Sequence, residues 1–252
     1  MSNAEAGASA IYSLVLDELA RVEENLRRLA RTGVPATTGP GDPHISELLE
    51  YVLDSKGKRI RPAITLLASR FHPHDGELPI SMASAVELLH LATLIHDDTV
   101  DNSPVRRGRA TVSQLWGRDT AVLLGDYVFA TSAVFVCDTH SVHIIRRFSE
   151  TIMEISSGEL LESLSKYDTH QSRQQYEERI YRKTASLFQT AAESGAILSG
   201  APEETVEALH TYGFNLGMAF QVVDDILDFE GDATEIGKPV GHDLLNGVLT
   251  LP

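Results

Sequence analysis

Cysteine is almost absent: Cys137 is the single one in 252 residues. An internal disulfide and a clustered-cysteine zinc site are therefore excluded, and a reducing, cytoplasmic setting is expected. Aromatic residues are scarce at 6%, while Leu, Ala and Glu recur, which favours helix over sheet. Basic residues are outnumbered, 21 against 36 acidic ones, for a formal charge of -15. That excludes nucleic-acid binding through a broad basic face. The N-terminus has no basic start followed by an apolar core, so no signal peptide is expected. Uninterrupted apolar runs long enough to span a bilayer are also missing. The longest, residues 121–136, is broken by Asp126 and reads as a buried core helix. Strand alternation, fixed-period repeats and a domain-dividing linker are absent too.

What is present is helical periodicity and 42% hydrophobic residues, enough for one sizeable core. Ile11, Leu14, Val15, Leu19, Val22, Leu26 and Leu29 recur at the spacing of an amphipathic helix. Residues 32–43 hold three glycines and three prolines and form a loop. A helix resumes with Ser46 as its cap, and another opens at Arg61-Pro62, where a first-turn proline is tolerated. Residues 71–79 are a loop, 80–100 a helix and 102–111 a polar loop. Further helices are expected at 119–137, 141–165, 172–199 and 203–229, before a glycine-rich end. The expectation is one all-α domain over residues 1–252, with residues 1–44 as an N-terminal helix and loop.

The apolar helix of residues 80–100 ends in Asp97-Asp98-Thr99-Val100-Asp101. Residues four apart on a helix differ by about 40° in azimuth and ~6 Å in height. Asp97 and Asp101 thus project from one face, with Asp98 beside them. Asp224, Asp225 and Asp228 repeat the same spacing behind a second apolar stretch. Uncompensated, such carboxylates repel by about 1 kcal/mol or more per close pair. Hard divalent cations remove that cost. Magnesium takes one or two carboxylates and completes its shell with water and phosphate oxygens. Two clusters facing across a cavity would hold several ions and a diphosphate between them. The few basic residues are also grouped, Lys56 to Arg61 and Arg106 to Arg109, which in an acidic chain marks local anion sites.

Taken in order, these segments resemble the trans-isoprenyl diphosphate synthases, or polyprenyl synthetases. The matching pieces are Gly57-Lys58-Arg59-Ile60-Arg61-Pro62, HLATLIHDDTVDNSPVRRG from His90 to Gly108, Gly125-Asp126-Tyr127, Lys183-Thr184, FQVVDDILD from Phe220 to Asp228, Gly237-Lys238-Pro239 and the stretch from Asp243 to Pro252. The resemblance runs from about residue 45 to the end. It implies an isoprenoid-synthase-type helical bundle around a central cavity. It also implies magnesium-dependent condensation of isopentenyl diphosphate with an allylic prenyl diphosphate. Gly57, Lys58, Arg61, His90 and Arg107 would hold the first substrate. Arg106, Lys183, Thr184, Gln221 and Lys238 would hold the second. Asp97, Asp101 and Asp224 would be the principal metal ligands, supported by Asp98, Asp225 and Asp228, with roughly three ions per site. Asp97, Asp101, Lys183, Asp224 and Lys238 would carry the catalysis, and the enzyme would be a homodimer.

In that family, residues just before the first aspartate motif help to set product length. Ala92 and Thr93 are small and lie about one turn upstream of Asp97. A product longer than farnesyl diphosphate is therefore expected, with Phe129 or Phe135 as a deeper floor. Two departures stand out. Val248 occupies a position where relatives often carry Lys, and the further helices that the resemblance implies beyond residue 252 are not in this sequence. The alternatives are a class I terpene cyclase, whose second metal motif differs, and a non-catalytic partner subunit, which would be expected to lose the aspartates.

Overall fold

The computed structural model describes residues 10–33, 42–54, 57–73, 76–230 and 241–251. The all-α expectation holds. Helix α1 (Leu16–Thr32) buries Leu19, Val22, Leu26 and Leu29 and ends at Gly33, whose positive φ lets its N–H cap Leu29 O. The expected stripe begins too early, however. The backbone leaves helical geometry at Val15, and Ile11 and Leu14 stay exposed. Helix α2 (Pro43–Leu53) is capped by Asp42, whose Oδ1 accepts from His44 N at 2.9 Å, with Pro43 in the first turn. Ser46, expected as the cap, instead directs its hydroxyl to Arg31 O at 3.4 Å.

Helix α3 (Ile60–Ser69) carries Pro62 in its first turn, as expected. Helix α4 (Glu77–Val100) runs through the middle of the fold and ends in the first aspartate cluster. The polar loop that follows contains a two-residue antiparallel ladder, β1 (Val105–Arg106) and β2 (Arg109–Ala110). Two residues a side are too few to show as alternation in a sequence. Then come α5 (Val112–Trp116), α6 (Arg118–Cys137), α7 (Val142–Leu164) and α8 (Arg173–Ile180), the last with a Ser172–Gln175 capping box. The helix expected over 172–199 is interrupted at Tyr181–Ala185, a single π-helical turn. It continues as α9 (Ser186–Leu198), in which every residue from Ser186 to Ala196 is buried. Helix α10 (Glu203–Glu230) ends in the second aspartate cluster, and α11 (His242–Leu245) is one short turn.

The core forms where α4 packs on α6, α3 and α9, and where α10 lies along α9. The α3–α9 crossing depends on Gly195. A Cβ there would sit 2.2 Å from Thr65 O and 2.9 Å from Ala68 Cβ. Both obstacles belong to buried helices that cannot yield freely, so Gly195→Ala should destabilise the fold by about 2–3 kcal/mol. A urea titration should show a lower midpoint with an unchanged slope.

Among the described residues, helices α4 and α6 have the length and composition to cross a membrane, against the expectation of no such run. Two thirds of the apolar window of α4 lies inside the protein, against 44% for α6. Helix α6 is thus less buried than expected, and Leu123 is 68% exposed.

Candidate active site

The C-terminal end of α4 separates its three aspartates. Asp97 is half-buried, and its pKa is pushed up to about 7, first by burial and then by Glu159, with Asp101 adding to the effect. Asp101, at the helix C-cap, has Lys166 Nζ 3.8 Å away. Asp98 turns away from both. Its two oxygens accept from Arg106 Nε at 2.7 and 2.8 Å. One residue of offset is about 100° of azimuth, enough to face the β1–β2 loop instead of the cavity.

The second cluster divides in the same way. Asp224 is exposed. Asp225 is buried, with Oδ2 accepting from Tyr176 Oη at 2.7 Å and Oδ1 from Gln221 Nε2 at 2.8 Å. Burial raises its pKa against the pull of those two bonds. Asp228 accepts from Asp243 N at 3.2 Å, tying α10 to the first turn of α11. In each cluster the second aspartate is engaged by a protein donor.

The π turn presents Lys183 and Thr184 between the clusters. Lys183 Nζ lies 2.7 Å from Glu162 Oε1 and 3.0 Å from Glu159 Oε1. Burial works against its charge, but Glu162 and Glu159 outweigh burial and raise its pKa. Thr184 Oγ1 donates to Gln221 Oε1 at 2.5 Å, so Thr184, Gln221, Asp225 and Tyr176 form one hydrogen-bonded chain.

The basic residues gather on the other side of α4. His90 is held neutral, its pKa pushed well down by burial and by Arg61, Arg107, Arg106 and Arg59. Arg59, at φ 50°, is fixed by Glu23 and Glu87 at 2.5 Å each. Arg61 lies over the Phe188 ring, 4.6 Å from its centroid. Its Nε is buried with no hydrogen-bond partner, and burial lowers its pKa to about 10. A buried guanidinium left short of an acceptor fits a site built for an anion. Gly57 borders Arg107, and Lys58 is exposed. Lys238 lies outside the described residues.

One turn below Asp97 a cavity of about 240 Å³ opens between α4, α6 and α7. Ala92, Thr93 and Phe129 line it together, with Leu89, Ile152 and Ile155 deeper in the wall. Phe135, the other expected floor residue, is in the core and not on this wall. His96 and Asp126 are polar members that lie within matching motifs but were given no role; His96 Nε2 is 3.3 Å from Asp126 Oδ1. Glu159, Glu162 and Tyr176 also went unnoticed, and Asp243 was named only as the start of the last matching stretch. Only the Glu159–Glu162 pair, three apart on one helix, carried any signal.

A helical bundle with two aspartate-bearing helix ends, clustered arginines and an apolar cavity one turn from the first aspartates fits the isoprenoid-synthase class. Comparison with known proteins narrows this. Residues 42–252 match the polyprenyl synthetase family. Heptaprenyl diphosphate synthase component 2 of Geobacillus stearothermophilus is 41% identical over 243 residues, covering 96% of this chain and 73% of the relative. The crystal structure of heptaprenyl diphosphate synthase from Staphylococcus aureus superposes with a TM-score of 0.88 at 38% identity, covering 94% of this chain and 73% of that one. A polyprenyl synthase from Caulobacter crescentus, complexed with calcium and isoprenyl diphosphate, gives 0.88 at 35% identity over 97% and 72%. The chain belongs to the polyprenyl synthetase family and is a trans-prenyltransferase.

Proposed function

We propose that this chain joins isopentenyl diphosphate to an allylic prenyl diphosphate with the help of magnesium, and repeats the addition to a product longer than farnesyl diphosphate. The observation that carries this reading is that Asp97 and the cavity wall at Ala92 and Thr93 belong to one helix, one turn apart. An allylic diphosphate held at the aspartates would place its tail in the cavity. The names of the heptaprenyl-forming relatives support the same product class.

The donor set fits a hard cation. A divalent ion beside Asp97 would relieve both its burial and its repulsion by Glu159 and Asp101. Among the described residues, no three His, Cys, Asp or Glu side chains converge as a ready-made cage. Magnesium needs none, because it keeps water and takes phosphate oxygens. Asp97, Asp101 and Asp224 would hold the ions, roughly three per site, with Asp98, Asp225 and Asp228 in support. When bound, the metal stabilises negative charge on the departing diphosphate.

The chain's own residues do the rest. Lys183, Arg106 and Lys238 bind the allylic diphosphate, and Thr184 and Gln221 steady that side. Arg61, Arg107 and Lys58, with Gly57 alongside, bind the isopentenyl diphosphate. Neutral His90 donates a hydrogen bond there without adding charge. Once the allylic diphosphate leaves, the isopentenyl double bond attacks the allylic cation and a proton passes to the released diphosphate. The apolar cavity keeps water from the cation.

The test is incubation with labelled isopentenyl diphosphate, magnesium and primers of several lengths, with products sized after dephosphorylation. No magnesium-dependent elongation from any primer would refute the proposal. Ala92 is 1% exposed and faces the small cavity, so Ala92→Phe should cut the product to about farnesyl length with turnover retained. An unchanged product distribution would show that Ala92 does not bound the chain.

Homodimerisation accords with the exposed apolar face of Leu123 on α6 and Val142, Met153, Leu160 and Leu164 on α7. The word component in the Geobacillus relative's name supports a second reading, in which that face meets a different subunit. Light scattering of the purified chain separates the two. A cytoplasmic setting and one polyprenyl synthetase domain over the whole chain complete the proposal.

A further inference from the structure

The π turn departs from the α-helical register, and it carries Lys183 and Thr184. In it Ser186 N–H bonds to Tyr181 O, five residues back. An α-helical turn would use four. Relaxation to α geometry shifts the register by one residue and swings the Lys183 side chain by about 100°. Something must therefore hold the irregular register.

Helix α7 is the surface against which it is held. Gly158 lets the turn approach so closely that a Cβ there would meet Arg182 Cβ at 2.9 Å and Lys183 N at 3.1 Å. Arg182 Nη1 donates to Ser157 Oγ at 2.8 Å. At the start of the turn, Tyr181 Oη lies 3.2 Å from Glu154 Oε1 and 3.0 Å from Gln189 Oε1. Both acceptors are themselves fixed. Arg147 clasps Glu154 with bonds of 3.0 and 3.2 Å and reaches Gln189 Oε1 at 3.2 Å. With its oxygen so occupied, the Gln189 amide must turn its NH₂ to His210 Nε2, 2.8 Å away, and His210 Nδ1–H then donates to Glu193 at 3.1 Å. Tyr181, with one hydroxyl proton, donates to one of its two acceptors at a time, and each of the other groups has one orientation compatible with its neighbours.

We propose that Tyr181 is a positioning residue for prenyl transfer: its hydroxyl, anchored on Glu154 and Gln189, holds the π turn in the register that presents Lys183 and Thr184 to the allylic diphosphate. The proposal rests on the reading of Lys183 given above. A packing role alone does not need the hydroxyl, since the Tyr181 ring lies against Phe214 with centroids 5.6 Å apart. The Arg147–Glu154 pair is complete without it as well.

The test measures binding by calorimetry on the whole chain. The probes are an unreactive allylic thiolodiphosphate with magnesium and isopentenyl diphosphate alone. Y181F keeps the ring and removes the hydroxyl. It should weaken the allylic analogue about tenfold, the worth of one buried hydrogen bond, and leave isopentenyl diphosphate within about twofold. E154A should behave like Y181F, while E154Q, which keeps an acceptor for Tyr181, should bind within about threefold of wild type. Equal weakening of both ligands in Y181F, with a lowered melting temperature, would mean general loosening and overturn the proposal. Unchanged allylic affinity in Y181F would overturn it too, provided K183A weakens the analogue. If K183A has no effect, the reading of Lys183 fails and takes the proposal with it.

Discussion

Asparagine in place of Asp97 should lower kcat by about a thousandfold while leaving the metal-free fold at least as stable as wild type. The two effects have one cause. Asp97 is a half-buried carboxylate beside Glu159 and Asp101, and its pKa rises from 3.8 to about 7 in the folded chain. Between those values the native state binds more protons than the unfolded state. Stability is therefore present in full below about pH 4 and is lost as the pH rises through 7. Metal-free wild type should melt lower at pH 8 than at pH 5, and magnesium should restore it most at pH 8. D97N should show a weaker pH dependence and a weaker response to magnesium. Melting curves at both pH values, with and without the metal, check this. Parallel curves for the two proteins would show that Asp97 is not the group under strain. Initial-rate kinetics at saturating magnesium check the loss of turnover.

Arg61→Met should raise the KM for isopentenyl diphosphate about a hundredfold, the scale of a lost charge-assisted contact, with little change in allylic KM. It should not lower the melting temperature. Arg61 Nε is sealed without a partner, and burial brings the pKa of the group from 12.5 down to about 10. A depressed basic pKa means that charge is disfavoured in the fold at neutral pH, with relief only above about 10. Methionine removes that burden and still packs a sulfur on the Phe188 ring. A variant that bound isopentenyl diphosphate normally, or that melted well below wild type, would place the anion elsewhere.

How much of this was legible in the sequence depends on whether a feature is local. The amphipathic stripe of α1, the apolar length of α4 and the aspartate spacing are written in consecutive residues and could be read directly. Ala92 and Thr93 could be placed one helical turn from Asp97 directly, while their link to product length came only from the family resemblance. The separate fate of Asp98 was not readable, because it depends on Arg106 arriving from a hairpin too short to show as strands. The π turn was hidden for another reason. One extra residue in a turn leaves composition and periodicity over 172–199 almost unchanged, so the stretch read as one helix. Glu159 and Glu162 lie more than twenty residues from Lys183, and only the packing of α7 against the turn brings them together. Lys238 lies outside the described residues.

The division of labour within each aspartate cluster bears on repeated turnover. A chain grown by many additions must have its first diphosphate released and the site refilled between steps. On the proposed reading, the ions and phosphates that would neutralise Asp97 and Asp224 come and go at those moments. Asp98 and Asp225 already have partners in the ligand-free chain, Arg106 for the first and Tyr176 and Gln221 for the second. The β1–β2 hairpin stays fastened to α4, and α8 to α10, when the cavity mouth is empty. Each new cycle then begins on a mouth already in shape, and ligand binding energy is not consumed in rebuilding it.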